Sequence, residues 1–256
     1  METLYLSRSE SGSDPFAIDR HTRKVIGTDK QNPTAMYALL QAEKYGWTWI
    51  KCEQEANALG DLACALGEPV AAPGRPLIAR LTPQSVKEAR TNTTSSKYGF
   101  GTFPPHTDFA HWPEPPRWLL FRLASEASKT PTLLFDSVNL RLDEKFGAHW
   151  RRAVWRVDRV CRRFLCSMDF SVDDRKAIRW DPEVMRPHGP LASAIATDLA
   201  REINATAYIE AEKLFWTCHD SALLVDNWRM LHARPTVADD DRHRVLERIA
   251  IRHTYE

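Results

Sequence analysis

The chain has 256 residues, with 35 Lys and Arg against 34 Asp and Glu, a formal charge of +1. That length suits one sizeable core, read as a single domain over 33–256 behind a polar arm at 1–32. No basic excess points to nucleic acid, and neither an apolar leader nor an apolar run of about eighteen residues points to a membrane, so the expectation is a soluble, cytoplasmic protein.

Residues 1–32 are polar and Ser-rich and read as a flexible start. Pro33 opens a helix over 33–44, where its missing N–H costs nothing. Trp47 to Cys52 alternates as a strand does. A second helix is predicted over 54–66 and stops at Gly67. Leu77 to Leu81 is a short strand, and central strands follow at 100–110, 117–123 and 131–136. From 137 to 214 the chain changes character and reads as an insert or lid. Within it, Ala153 to Val160 alternates like a strand, although Arg interleaved with apolar residues over 151–163 also fits a basic helix face. Asp158 and the balanced total charge favour a solvated face there over a nucleic-acid contact. Residues 179–189 are too Pro-rich for a regular element. Leu191, Ile195, Leu199 and Ile203 recur with helical period and predict a helix over 190–204. Cys52, Cys64, Cys161, Cys166 and Cys218 are scattered without a Cys-x-x-Cys, which argues against a disulfide framework or structural zinc.

The chemistry concentrates in two places. His106, Thr107 and Asp108 lie between an aromatic, Gly-rich lead-in from Tyr98 and a Pro-rich stretch from Pro113 to Pro116. A His and a carboxylate two residues apart project to one side of an extended strand. Far down the chain come Asp226, Asn227, Trp228 and Arg229, then His232 and Arg244. A second imidazole there closes one triangular face of a metal. Two neutral nitrogens and a carboxylate on one face leave open positions opposite, which suits non-haem Fe(II) handling O2 and a chelating co-substrate. Arg244 adds a planar cation able to hold a carboxylate.

Over roughly 98–137 and 215–252 the residues resemble the Fe(II)/2-oxoglutarate-dependent oxygenases of the taurine dioxygenase and clavaminate synthase type. The resemblance implies metal ligation by His106, Asp108 and His232, and contact of the far 2-oxoglutarate carboxylate with Arg244 and Thr132. It puts Arg248 where relatives touch the anionic group of the prime substrate, and makes Asp181, in the insert, a substrate-recognising acid. Trp112 is a stacking candidate, although an aromatic beside a ligand is more often packing. His219 stands where relatives carry Gly, before Asp220. Halogenating relatives replace the ligand carboxylate with a small residue; Asp108 is present, which favours hydroxylation.

The implied fold is mainly β with flanking helices, a double-stranded β-helix or jelly roll, with the helices at 33–44, 54–66 and 190–204 packed outside one sheet. The implied cofactors are Fe(II), 2-oxoglutarate as co-substrate, and O2, with succinate and CO2 released and a small, amino-acid-like substrate hydroxylated. A homo-oligomer is compatible with the chain. Two other readings share the ligands: a zinc-dependent hydrolase, which leaves Arg244 and Thr132 without a role, and a non-catalytic binding module, disfavoured by the complete ligand set. Among the neighbours, His111 is expected to line the loop, Trp228 to pack, Arg229 to brace Asp226, and His243 to face solvent.

Overall fold

The computed structural model describes residues 33–252 apart from 92, 160, 161 and 218; the expected arm at 1–32 and the cysteines at 161 and 218 lie outside the described residues. The first part gives helix α1 (Pro33–Tyr45), strand β1 (Trp47–Lys51), helix α2 (Ala58–Leu66), strands β2 (Glu68–Val70) and β3 (Ala79–Leu81), and short helix α3 (Thr94–Tyr98). Strands β4 (Phe103–His106), β5 (Trp118–Leu123) and β6 (Ser128–Asp136) follow. The insert contains helices α4 (Leu142–Phe146) and α5 (His149–Arg152), then strands β7 (Val154–Arg159), β8 (Arg162–Cys166), β9 (Asp169–Val172), β10 (Arg175–Ile178) and β11 (Met185–His188), and the long helix α6 (Gly189–Glu210). The return is made by β12 (Glu212–Trp216), β13 (Ser221–Asp226), β14 (Met230–Arg234) and β15 (Leu246–Arg252).

Two antiparallel sheets face each other. The larger runs β1–β13–β5–β15–β2 with β3 also on β15, and the smaller runs β12–β6–β14–β4. Strand alternation sorts the side chains between layers. Leu119, Phe121, Leu123, Leu223 and Val225 point inward and meet Leu134, Leu214, Trp216 and Met230 of the smaller sheet. Their neighbours Trp118, Leu120, Ala222 and Leu224 point outward onto α1 and α2. Each fully buried Leu contributes roughly 2 kcal/mol relative to exposure, so a register slip that reversed the faces would forfeit both layers. The outer face of the smaller sheet offers Phe135 and Leu231 to Trp155, Trp180, Leu199 and Ile203 of the insert. This is the expected jelly roll.

Several local expectations change. Helix α6 does not share a sheet with α1 and α2: its buried stripe, Ala192, Leu199, Ile203 and Ala207, fits the insert on the opposite side. The alternation from Ala153 is a strand, β7, and not a helix face. The Pro-rich stretch 179–189 does contain a strand, β11, paired with β7. As an edge strand it tolerates Pro187, whose missing N–H leaves no ladder bond unmade in the interior. Helix α2 starts at Ala58 and not at Gln54, whose side-chain amide donates to the Leu123 carbonyl at 3.2 Å. No helix among the described residues is long and apolar enough to cross a membrane.

Candidate active site

Strands β4 and β14 are neighbours, and His106 sits directly across from His232. Opposed residues in an antiparallel pair share a face, so the two rings converge, with centroids 4.3 Å apart. The Pro104 carbonyl, 2.9 Å from His106 Nδ1, assigns the proton to Nδ1 and leaves Nε2 as a lone pair. Asp108 comes from the turn after β4 and not from the strand itself. Its Oδ1 lies 3.7 Å from His106 Nε2 and 3.6 Å from His232 Nε2. One donor atom from each residue falls within 4.8 Å of the others.

Burial works against a charge on Asp108, but Arg248 and the two imidazoles outweigh it and hold the carboxyl well below its ordinary range. Arg248 Nη1 donates directly to Asp108 Oδ2. Burial together with the neighbouring His106 lowers the pKa of His232, which favours the neutral, metal-ligating ring. Burial also opposes charge on His106, yet the bond and charge of Asp108 carry its pKa above the usual value. Two imidazole nitrogens and an ionised carboxylate on one face match the donor set of a divalent first-row metal with open positions.

The triad opens into a cavity of about 550 Å³, walled by Phe121, Thr132, Asp181, Arg244, Leu246 and Arg248 among others. Thr132 points inward from β6, and its Oγ1 accepts a bond from Trp216 Nε1 at 3.0 Å. Arg244 is buried; Nη1 donates to the Thr130 carbonyl at 2.6 Å and to Ser128 Oγ at 3.3 Å. Its Nε is buried without a partner among the described residues. A buried donor left unspent is costly, and Arg117, Arg179 and Arg234 also leave guanidinium nitrogens unspent; of these only Arg234 shares the cavity wall with Arg244.

Comparison with known proteins finds no matching family model and no matching curated protein. Solved structures do match. PvcB, an Fe, alpha-ketoglutarate dependent oxygenase from an isonitrile synthetic pathway, aligns with a TM-score of 0.63 at 17% identity over 86% of this chain and 80% of its own. PvcB of Pseudomonas aeruginosa, in a further structure, aligns with a TM-score of 0.65 at 18% identity over 92% of this chain and 89% of its own. Asparagine oxygenase in complex with Fe(II), 2S,3S-3-hydroxyasparagine and succinate aligns with a TM-score of 0.63 at 14% identity over 85% and 78%. The fold is that of the iron and 2-oxoglutarate oxygenases.

Within this oxygenase fold the cavity brings together His106, Asp108, His232, Thr132, Arg244, Arg248 and Asp181. Trp112 does not line it; the ring packs edge-on against Phe109, 4.9 Å between centroids. Trp228 is packed as expected, its Nε1 on the Pro115 carbonyl at 2.7 Å. His111 does line the cavity, and His243 is exposed. Arg229 pairs with Asp136 rather than bracing Asp226 by a hydrogen bond. Sequence reasoning gave no role to Thr107 and Asn227, although both stand in its motifs, and did not single out Arg234. Thr107 is fully buried, donating its N–H to the Trp180 carbonyl at 2.6 Å and accepting the Trp180 N–H on Oγ1 at 3.1 Å, which ties the ligand loop to the insert. Arg234 reaches the carbonyls of Gly99 and Gly101, both at 2.7 Å, and stacks on Phe103. The available signal was polar residues at or just past the ends of apolar strands, which must find partners when buried.

Proposed function

We propose that this protein is a 2-oxoglutarate-dependent non-haem iron dioxygenase that hydroxylates an unactivated C–H of a small, amino-acid-like molecule, releasing succinate and CO2, as a soluble cytoplasmic enzyme. The observation that carries the reading is the convergence of His106, Asp108 and His232 on one face of a cavity whose wall also holds the buried Arg244 and Thr132. Similar structures bound to 3-hydroxyasparagine and to (3S)-hydroxy-L-Arg support an amino-acid-like substrate.

In this reading His106, Asp108 and His232 hold Fe(II), which supplies the one-electron chemistry with O2 that side chains lack. The protein's own contribution is placement. Arg244 offers a planar fork to the far carboxylate of 2-oxoglutarate, with the Thr132 hydroxyl beside it. Arg248 keeps Asp108 ionised and offers its remaining donors to an anionic group of the substrate. Asp181, the residue of the insert that reaches the cavity wall, suits a substrate ammonium, and residues 80–84, 90 and 93–95 form much of the rest of that wall. A zinc hydrolase built on the same triad leaves Arg244 and Thr132 idle. The test is anaerobic addition of Fe(II) and 2-oxoglutarate, followed by air and a panel of amino acids. A weak visible charge-transfer band and substrate-stimulated succinate are expected. Neither band nor succinate, with hydrolysis by the zinc form, would overturn the reading.

A further inference from the structure

Asn227 does for Asp108 what a neighbouring strand would otherwise do. Strand β4 stops at His106, so the peptide groups flanking Asp108 lie outside the ladder. The Asp108 N–H donates to Asn227 Oδ1 at 3.0 Å, and Asn227 Nδ2 donates back to the Asp108 carbonyl at 3.0 Å. The remaining Nδ2 proton goes to the Pro116 carbonyl at 2.9 Å, which joins the two ends of the loop that leaves the site. Asn227 is fully buried, and its backbone N–H is spent on the Arg117 carbonyl at 2.7 Å, anchoring it to that same loop. A carboxamide meets this demand because it offers an acceptor and two donors; a carboxylate offers acceptors only.

The backbone beyond Asp108 adds a reason for a clamp. Phe109 has φ 59°, a left-handed conformation that costs a residue with a Cβ about 1–2 kcal/mol. The peptide leading into Phe109 is the one whose carbonyl Asn227 holds. Without that bond the turn is free to relax, and the Asp108 carboxylate would swing away from the imidazoles.

Resting on the reading that His106, Asp108 and His232 hold a divalent metal, we propose that Asn227 is a positioning residue for the metal centre, its carboxamide fixing the Asp108 backbone so that the carboxylate meets both imidazoles. It touches neither metal nor substrate and acts through Asp108.

The test is a Co(II) titration of the metal-free full-length protein, followed by visible absorption. Partners of this kind are typically worth about ten- to a hundredfold in metal affinity. Asn227→Ala and the near-isosteric Asn227→Asp should both raise the Co(II) Kd by about that factor and shift the absorption band. Leu59→Ala, which removes a fully buried side chain from α2 far from the site, should lower the melting temperature and leave the Co(II) Kd unchanged. Co(II) binding within about twofold of wild type in either Asn227 variant, with an unmoved band, overturns the proposal. So does a Leu59→Ala affinity that falls in step with its stability. Should the Asn227 variants not fold, hydrogen exchange on the wild type decides: the Asp108 amide should be protected without metal, and free exchange there overturns the clamp. Wild-type protein that binds Co(II) through the triad but never forms succinate would overturn the oxygenase reading and leave this proposal intact.

Discussion

Arg244 is the residue whose removal most cleanly separates the roles around the triad. Its buried Nη1 satisfies Thr130 and Ser128, while Nε has no partner among the described residues. A hydrogen bond to a charged group is worth roughly 1.5–3 kcal/mol, and 1.4 kcal/mol is a decade in affinity. Arg244→Ala should therefore raise the 2-oxoglutarate requirement by at least about tenfold, measured as the concentration giving half-maximal succinate formation. Arg244→Lys should recover part of the loss, because a point charge cannot reproduce the fork. An unchanged requirement would move the co-substrate carboxylate elsewhere, to Arg248 or Arg234. Replacing His106, Asp108 or His232 with Ala should abolish succinate formation and iron retention while the fold persists; full activity in any one would remove it from the triad. The convergence of these three residues was legible in the sequence because the proposed metal chemistry demands particular side chains. The roles of Asn227 and Thr107 were not, because a carboxamide or hydroxyl that binds a backbone looks, in one dimension, like any other polar group.

At the scale of elements, legibility followed burial. Strands β5 and β13 are buried along their whole length, and their apolar runs announced them. Strand β2 has three residues, too few for a period to register, whereas β3, equally short, falls within the strand expected over 77–81. Strand β7 stayed ambiguous because its Arg and apolar residues alternate within a basic stretch that also fits a helix face. The joint between α1 and β1 depends on one glycine. Gly46 has φ 84°, accepts the Asp226 N–H at 2.8 Å, and leaves no room for a side chain: a Cβ would run into Met230 Sδ and lie 2.8 Å from its Cγ. Met230 is itself buried in the inter-sheet core, so it has little space to yield. Gly46→Ala should cost about 2 kcal/mol or more, from the left-handed backbone and the displaced Met230. For a chain of this size that lowers the melting temperature by roughly 4–8 °C. An unchanged melting temperature would mean that the joint relaxes freely.

The whole molecule is drawn together where α1 ends. Arg229 donates to the carbonyls of Glu43 and Lys44, both at 3.0 Å, closing the last turn of α1, and also holds Asp136 of β6. Glu43 takes Arg117 at 2.9 Å and Arg175 of the insert at 2.7 Å. Arg117 in turn reaches Asp226, the last residue of β13, at 3.3 Å. Helix, both sheets and insert thus share one charged junction, and which acid each Arg would choose is a tertiary fact that no local spacing encodes. Asp226 is its strained member. Burial pushes its carboxyl up to about 6, against the pull of Arg117, the Trp228 N–H and Arg229. In the unfolded chain an Asp titrates near 3.9, so the folded state binds the proton more tightly. The resulting stabilisation is fully present below about pH 3.9 and is lost as pH rises through about 6. At about 1.4 kcal/mol per pKa unit the loss amounts to roughly 3 kcal/mol. Asp226→Asn keeps the shape and stays neutral, so it lacks this dependence and differs from wild type otherwise by a constant offset. Urea unfolding of both proteins between about pH 4.5 and 7.5 should show the variant gaining roughly 2–3 kcal/mol on wild type across that window. A gap that stays constant over the window would mean that Asp226 is ionised throughout and that Arg117, not burial, governs it.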